Sequence, residues 1–151
     1  MKTNNKMKKI IVALTLVFTI SSAFAKEVTV TKQVLQSFTR NFSQAKEITW
    51  TVTDSYYRAS FTLNEQKVFA FFNCDGLYLG LTRYISSFQL PLNLQSRLKR
   101  HYGKKWITDL FEMTNDEGTA YYITVEDSDT KIILNASSGS DWHLYKKEKK
   151  N

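Results

Sequence analysis

The chain of 151 residues has one cysteine, one proline, two histidines and five glycines, and each scarcity removes a class of explanation. With Cys74 alone, no intramolecular disulfide can form, so any fold rests on its core. A lone cysteine in the apolar run Val68-Phe69-Ala70-Phe71-Phe72-Asn73-Cys74 reads as a small buried or strand-end residue rather than a nucleophile. His101 and His143 are the only imidazoles, and no G-x-S-x-G, H-E-x-x-H, C-x-x-C or Walker-type pattern occurs. The sequence is therefore read as non-enzymatic, with no catalytic residue, cofactor or metal expected. His101 stands near a helix end beside Arg100 and Lys104-Lys105, where an exposed histidine at the C-terminal dipole is the ordinary explanation. Asn115-Asp116-Glu117-Gly118 and Asp127-Ser128-Asp129 lack the ligand pattern of a calcium loop and read as hairpin turns.

Long hydrophobic runs are also missing. The run from Ile10 to Ile20 has 11 residues, against roughly 20 for a membrane-crossing helix. It follows Lys8-Lys9 and leads into Ser21-Ser22-Ala23-Phe24-Ala25. This order is that of a secretory signal peptide over residues 1–25, with cleavage expected between Ala25 and Lys26 and a periplasmic destination. The residue after the cleavage point is Lys26 and not cysteine, so lipid attachment there is not expected.

Charge of one sign is scarce where it matters. The formal net charge is +7, from 21 Lys+Arg and 14 Asp+Glu, yet residues 26–145 hold 13 basic and 13 acidic side chains. The excess lies in the leader and in Lys146-Lys147-Glu148-Lys149-Lys150, read as a solvated basic tail over 147–151. A neutral body and export argue against a nucleic-acid partner.

What is present is pattern. A content of 42% hydrophobic and 14% aromatic residues suffices for one compact domain, assigned to 26–146. Val34, Leu35, Phe38 and Phe42 share one face of a helix over Val30–Phe42, capped by Thr29 or Thr31. The period then changes to two. Tyr57, Ala59, Phe61 and Leu63 alternate with Arg58, Ser60 and Thr62, and Asn64-Glu65 turns the chain into Val68–Phe72. Asp75-Gly76 turns it again into Leu77–Leu81, and Ile48–Thr51 supplies a strand in front.

The same order recurs. Leu90-Pro91 opens a helix whose Leu94, Leu98 and Tyr102 share a face. Strand-like runs follow at Trp106–Met113, Thr119–Val125, Lys131–Asn135 and Asp141–Tyr145. Phe42 matches Tyr102 and Trp50 matches Leu110 at an offset of 60, and Asp75-Gly76 matches Ser138-Gly139 at 63. The fold class is thus α+β: two tandem helix-plus-four-strand repeats, about 28–85 and 88–146, forming one antiparallel eight-stranded sheet with both helices on one face. Alternation puts Trp50, Tyr57, Ala59, Phe61, Leu79, Leu81, Tyr121, Ile123, Val125, Trp142 and Leu144 on the covered face. It puts Tyr56, Arg58, Tyr78, Tyr84, Tyr122, His143 and Tyr145 on the other. Phe69/Phe71 against Val68/Phe72 stays open, since both sets are apolar.

The series Phe38-x3-Phe42-x2-Ala45-x2-Ile48-x-Trp50, Tyr57-x-Ala59-x-Phe61, Asp75-Gly76, Leu90-Pro91, Tyr102 and Tyr121-Tyr122 resembles the PepSY-like, β-lactamase-inhibitor-protein-like (BLIP-like) periplasmic domain of Bacteroidetes-type bacteria. Ser43-Gln44 departs from it, where Pro-Gly is frequent. The resemblance implies an eight-stranded antiparallel sheet with helices on one side and a periplasmic location; it brings no catalytic or inhibitory residue with it. The function expected is a binding module that uses its open sheet face, with Tyr56, Arg58, Tyr78, Tyr84, Tyr122 and His143 as contacts for an envelope protein that it inhibits or regulates. The alternative is a small-molecule or envelope-stress binding protein with a pocket between sheet and helices, lined by Phe38, Phe42, Leu94 and Leu98.

Overall fold

The computed structural model describes residues 29–150; the leader assigned to residues 1–25 lies outside them. Helix α1 (Lys32–Asn41) precedes strands β1 (Lys46–Val52), β2 (Tyr57–Leu63), β3 (Gln66–Phe72) and β4 (Tyr78–Tyr84). A single 3-10 turn (Ser87–Gln89) then leads to helix α2 (Leu92–Tyr102) and strands β5 (Trp106–Asn115), β6 (Gly118–Glu126), β7 (Thr130–Ser137) and β8 (His143–Lys149). The eight strands form one sheet in sequential order, every neighbouring pair antiparallel.

Local chemistry accounts for the elements. Thr31 caps α1, its hydroxyl accepting from the Val34 N–H at 3.4 Å, and Val34 and Phe38 are the helix residues that become buried. Asn64 and Glu65 both take positive φ, 49° and 63°, the conformation of a two-residue hairpin loop whose twist matches the strands. That loop pairs Leu63 with Gln66 and hence Ala59 with Ala70 and Tyr57 with Phe72. The pairing decides the open question in β3: Val68, Ala70 and Phe72 pack under α1, while Phe71 and Phe69 belong to the opposite face.

Three apolar clusters hold the molecule. Under α1, Val34 and Phe38 pack on Tyr57, Ala59, Phe61, Val68, Ala70 and Phe72. Under α2, Leu94 and Leu98 pack on Leu110, Tyr121, Ile123, Val125, Ile132 and Leu134. These two do not merge. Where β4 meets β5, the helix side carries a two-pronged ion pair, with Arg83 Nε and Nη2 donating to Glu112 Oε1 and Oε2 at 3.0 and 3.2 Å. The third cluster lies on the helix-free side and joins the halves: Tyr56, Phe69, Phe71 and Leu79 from the first, Phe111, Met113, Ala120, Tyr122 and Tyr145 from the second. Fully burying one large apolar side chain is worth about 1.5–3 kcal/mol, so this layer is as much core as those beneath the helices.

Two expectations need correction. Leu79 faces away from the helices and Tyr78 toward them, because the β3–β4 register slips between Phe71 and Phe72. At that bulge Gly80 takes φ +152° with the Thr114 carbonyl oxygen 3.1 Å from where a Cβ would sit. The basic stretch from 147 is not a solvated tail: β8 runs through Lys149, pairing Lys147 with Ile132 and Lys149 with Thr130. The alternating apolar face of β7 needed a ladder partner at this edge, and Lys is a residue commonly placed on edge strands. Of the two readings of Cys74, buried or strand-end, the second holds: it is exposed in the turn just after β3, its Sγ 3.7 Å from the Asp54 carbonyl oxygen.

Candidate functional site

The helix-free face carries five of the six residues singled out from the sequence. Tyr56 precedes β2, Arg58 lies on β2, Tyr84 on β4, Tyr122 on β6 and His143 on β8. His143 stands opposite Asn135 in register, as Tyr122 does from the other side. Tyr78 is not among them. Its ring lies 5.7 Å from that of Phe42 and 5.8 Å from that of Phe72, under α1, where burial pushes its phenol up to about 12.

The five differ sharply in exposure. Tyr122 is 1% exposed and Tyr56 8%. Phe71, on the same face, is also 1% exposed. With both helices on the other side, these side chains are packed among their neighbours on the same face, Phe111, Met113 and Ala120 from the second half included. Tyr122 stacks on Phe111 at 5.1 Å and meets the edge of Tyr145 at 6.3 Å. Tyr56 packs on Phe71 at 5.8 Å. Tyr122 Oη is buried without a hydrogen bond of ordinary geometry. Burial pushes its phenol up to about 12, and the neighbouring Asn135 side chain only tempers that. Tyr56 and Tyr122 thus form the floor of this face, and replacing both with Ala would cost stability.

At the rim the chemistry is different. The Arg58 guanidinium lies 5.5 Å from the Phe69 ring centroid and donates to Thr51 Oγ1 at 3.1 Å, while its Nε is buried with no partner. The Phe69 ring meets that of Tyr84 edge-on at 5.9 Å, and Tyr84 is 49% exposed. Burial and the Asp109 carboxylate push the Tyr84 phenol up to about 12, with Arg58 acting the other way. Asp109 itself is raised by burial. A cation held on one ring, an exposed tyrosine beside it and a carboxyl beyond make a row that can accept a flat apolar group and satisfy a carbonyl or carboxylate next to it. It contains no nucleophile.

Phe69 and Asp109 were not among the expected contacts. Phe69 was legible, because the two-residue Asn64-Glu65 loop places it on the Arg58 face. Asp109 was legible too, because it alternates with Leu110, which the offset of 60 matches to Trp50 on the covered face, and the β5–β6 pairing is regular from Asp109 onward. The pocket expected between sheet and helices does not form as read. Phe38 and Phe42 belong to one cluster and Leu94 and Leu98 to the other, and the Phe38 ring already touches Phe42, Trp50 and Phe61 at 5.0–5.5 Å. Asp127, weighed as a calcium-loop carboxylate, accepts from the Asp129 and Thr130 N–H groups and from Lys105 Nζ, which hold its carboxyl far below the usual range.

The same architecture occurs in solved structures. A BLIP-like protein from Bacteroides fragilis superposes with a TM-score of 0.70, covering 83% of this chain and 89% of that one at 18% identity. This chain has the BLIP-like fold. A DUF2874 family protein from Bacteroides ovatus matches with a TM-score of 0.71 at 19% identity, covering 81% and 89%. A protein from Bacteroides eggerthii, provisionally described as periplasmic, matches at 0.70 and 12% identity, covering 81% and 90%. At these identities the likeness is one of fold. Neither a protein-family model nor a curated protein matches the sequence.

Proposed function

We propose that this BLIP-like chain is an exported, periplasmic, non-enzymatic binding module that holds an envelope protein, inhibiting or regulating it, against the rim of its helix-free sheet face. The observation that carries this reading is the Arg58–Phe69–Tyr84 row, in which a half-buried cation and an exposed tyrosine are held by ring contacts on rigid strands. Tyrosine and arginine offer large contact area at low conformational cost, and a contact set built on strands is pre-organised. The leader over residues 1–25 supports export, and the fold shared with BLIP-like proteins supports protein binding over catalysis.

The test compares capture from envelope extract by the chain from Lys26 onward and by Tyr84→Ala, Arg58→Ala and their double variant. One stoichiometric protein retained by the parent and lost with the double variant, at an unchanged melting temperature, supports the reading and names the target. Equal capture by parent and double variant would show that the rim is not the contact surface.

A further inference from the structure

On the helix side of the sheet, α2 and β8 lie next to each other. At one end the Trp142 indole donates to the Leu94 carbonyl at 3.0 Å, the Asn93 side chain donates to the Ser140 carbonyl, and Arg97 pairs with Asp141. At the other end Lys105 pairs with the Asp127 carboxylate while Lys150 Nζ donates to the Asp127 carbonyl. The helix and the edge strand therefore run side by side in the same direction. No acidic residue occurs from Ser86 through Thr108, the stretch that holds α2.

Spacing then decides what the two elements share. Arg97 and Arg100 stand at i and i+3 on α2, on the side that the Arg97–Asp141 pair turns toward β8, and Lys104 follows in the turn just past the helix end at Tyr102. On β8, register places Leu144 opposite Leu134, Lys147 opposite Ile132 and Lys149 opposite Thr130. Leu134 and Ile132 belong to the cluster under α2, so Leu144, Lys147 and Lys149 are on the helix side. Arg97 and Lys105 are neutralised by Asp141 and Asp127. Arg100, Lys104, Lys147 and Lys149 make no ion pair among the described residues. Glu148 and Lys146 pair with each other, and by register they belong to the opposite face. Asp129, in the β6–β7 turn, is the carboxylate at the border of the patch. Leu144 lies among these cations at 63% exposure.

We propose that this α2–β8 face docks on an anionic lipid bilayer surface, its four unpaired cations meeting headgroup phosphates while Leu144 enters the interfacial layer. A cluster of cations around an exposed apolar side chain is the composition that suits a charged, partly apolar interface. A soluble polyanion would use the cations and leave Leu144 in water. The face is separate from the Arg58–Tyr84 rim, and the proposal stands or falls independently of it. A module tethered to a membrane surface would search for an envelope partner in two dimensions with its rim free.

The probe is sedimentation of the chain from Lys26 onward with vesicles of phosphatidylglycerol and phosphatidylethanolamine in equal parts, against vesicles of phosphatidylcholine. Each cation near an anionic surface contributes about fivefold in affinity, so Arg100→Gln with Lys104→Gln should weaken anionic-vesicle binding by roughly 25-fold. Adding Lys147→Gln and Lys149→Gln should abolish it, and Leu144→Ser should weaken it further in high salt, where the apolar contact is what persists. Tyr84→Ala should leave it unchanged, which separates this face from the rim. Equal partition to both vesicle types, or binding retained by the quadruple variant with its melting temperature intact, would overturn the proposal. So would binding to soluble polyglutamate as tight as to anionic vesicles and indifferent to Leu144→Ser, which would mark an acidic protein segment as the partner.

Discussion

The two halves of the sheet place the same order of elements on different cores. Beneath α1 the packing is ring on ring: Phe38 meets Phe42, Trp50, Phe61 and Phe72 at centroid distances of 5.0–6.3 Å, mostly edge-on. Beneath α2 it is mainly aliphatic, with Leu94 and Leu98 on Leu110, Ile123, Val125, Ile132 and Leu134. Aliphatic side chains carry no directional contact, and in that half polar anchors fix the helix to its edge strand: the Trp142 indole on the Leu94 carbonyl and the Arg97–Asp141 pair. Period and turn position are what the halves share. An exchange such as Trp50 for Leu110 keeps the facing while changing the shape that fills it, which cores tolerate when neighbours repack.

The comparison is tested hardest at its hubs. Phe38→Ala should cost about 3–5 kcal/mol and Leu94→Ala about 2–4 kcal/mol in urea unfolding, since each opens a cavity in a fully packed layer. A larger loss at Leu94 than at Phe38 would break the view that the ring-packed half is the more directional. Trp50, on the first-half edge strand and only half-buried, should cost about 2 kcal/mol when replaced by Ala.

The layer that joins the halves gives a sharper pair. Tyr122→Ala should cost about 3–4 kcal/mol by emptying the stack on Phe111. Tyr122→Phe should be neutral or stabilising by up to about 1 kcal/mol, because it removes a buried hydroxyl that has no partner of ordinary geometry. The same pair fixes a pH dependence. The Tyr122 phenol titrates near 10.0 when unfolded and is pushed up to about 12 when folded, so its contribution is complete below about pH 10 and is lost as pH rises toward 12. Unfolding midpoints of Tyr122→Phe should therefore fall less steeply between pH 10 and 12 than those of the parent; parallel curves would mean the hydroxyl is hydrated.

Two turns offer the smallest contrast. Gly76 and Gly139 have nearly the same φ, +82° and +83°, at matching points of the two halves. A Cβ at Gly76 would sit 3.0 Å from the Gln33 carbonyl carbon in α1, whereas at Gly139 nothing lies within 4 Å. Gly139→Ala should cost about 1 kcal/mol from backbone strain alone, and Gly76→Ala about 2 kcal/mol because helix and turn must also separate. Equal losses would show that the first turn yields without moving α1.

Much of this was legible in the residues. Two helices, eight strands and their doubling followed from period and turn chemistry, and Asn64-Glu65 even held the register that puts Phe69 beside Arg58. The reversal of Tyr78 and Leu79 was not legible, because a bulge is a compromise between two strands and the β4 pattern alone contains only one of them. The continuation of β8 through the lysines was hidden for a related reason: charge at an edge reads as solvent exposure until the partner strand is known.

The candidate site divides along the same line. The sequence by itself determined that tyrosines, Arg58 and His143 would gather on the side of the sheet away from the helices, since alternation with period two is a local property of each strand. Only the tertiary structure decided which of them meet a partner and which become core. Burial of Tyr56 and Tyr122 depends on side chains from both halves of the sheet packing over one another, a property of the assembled sheet that no single strand carries.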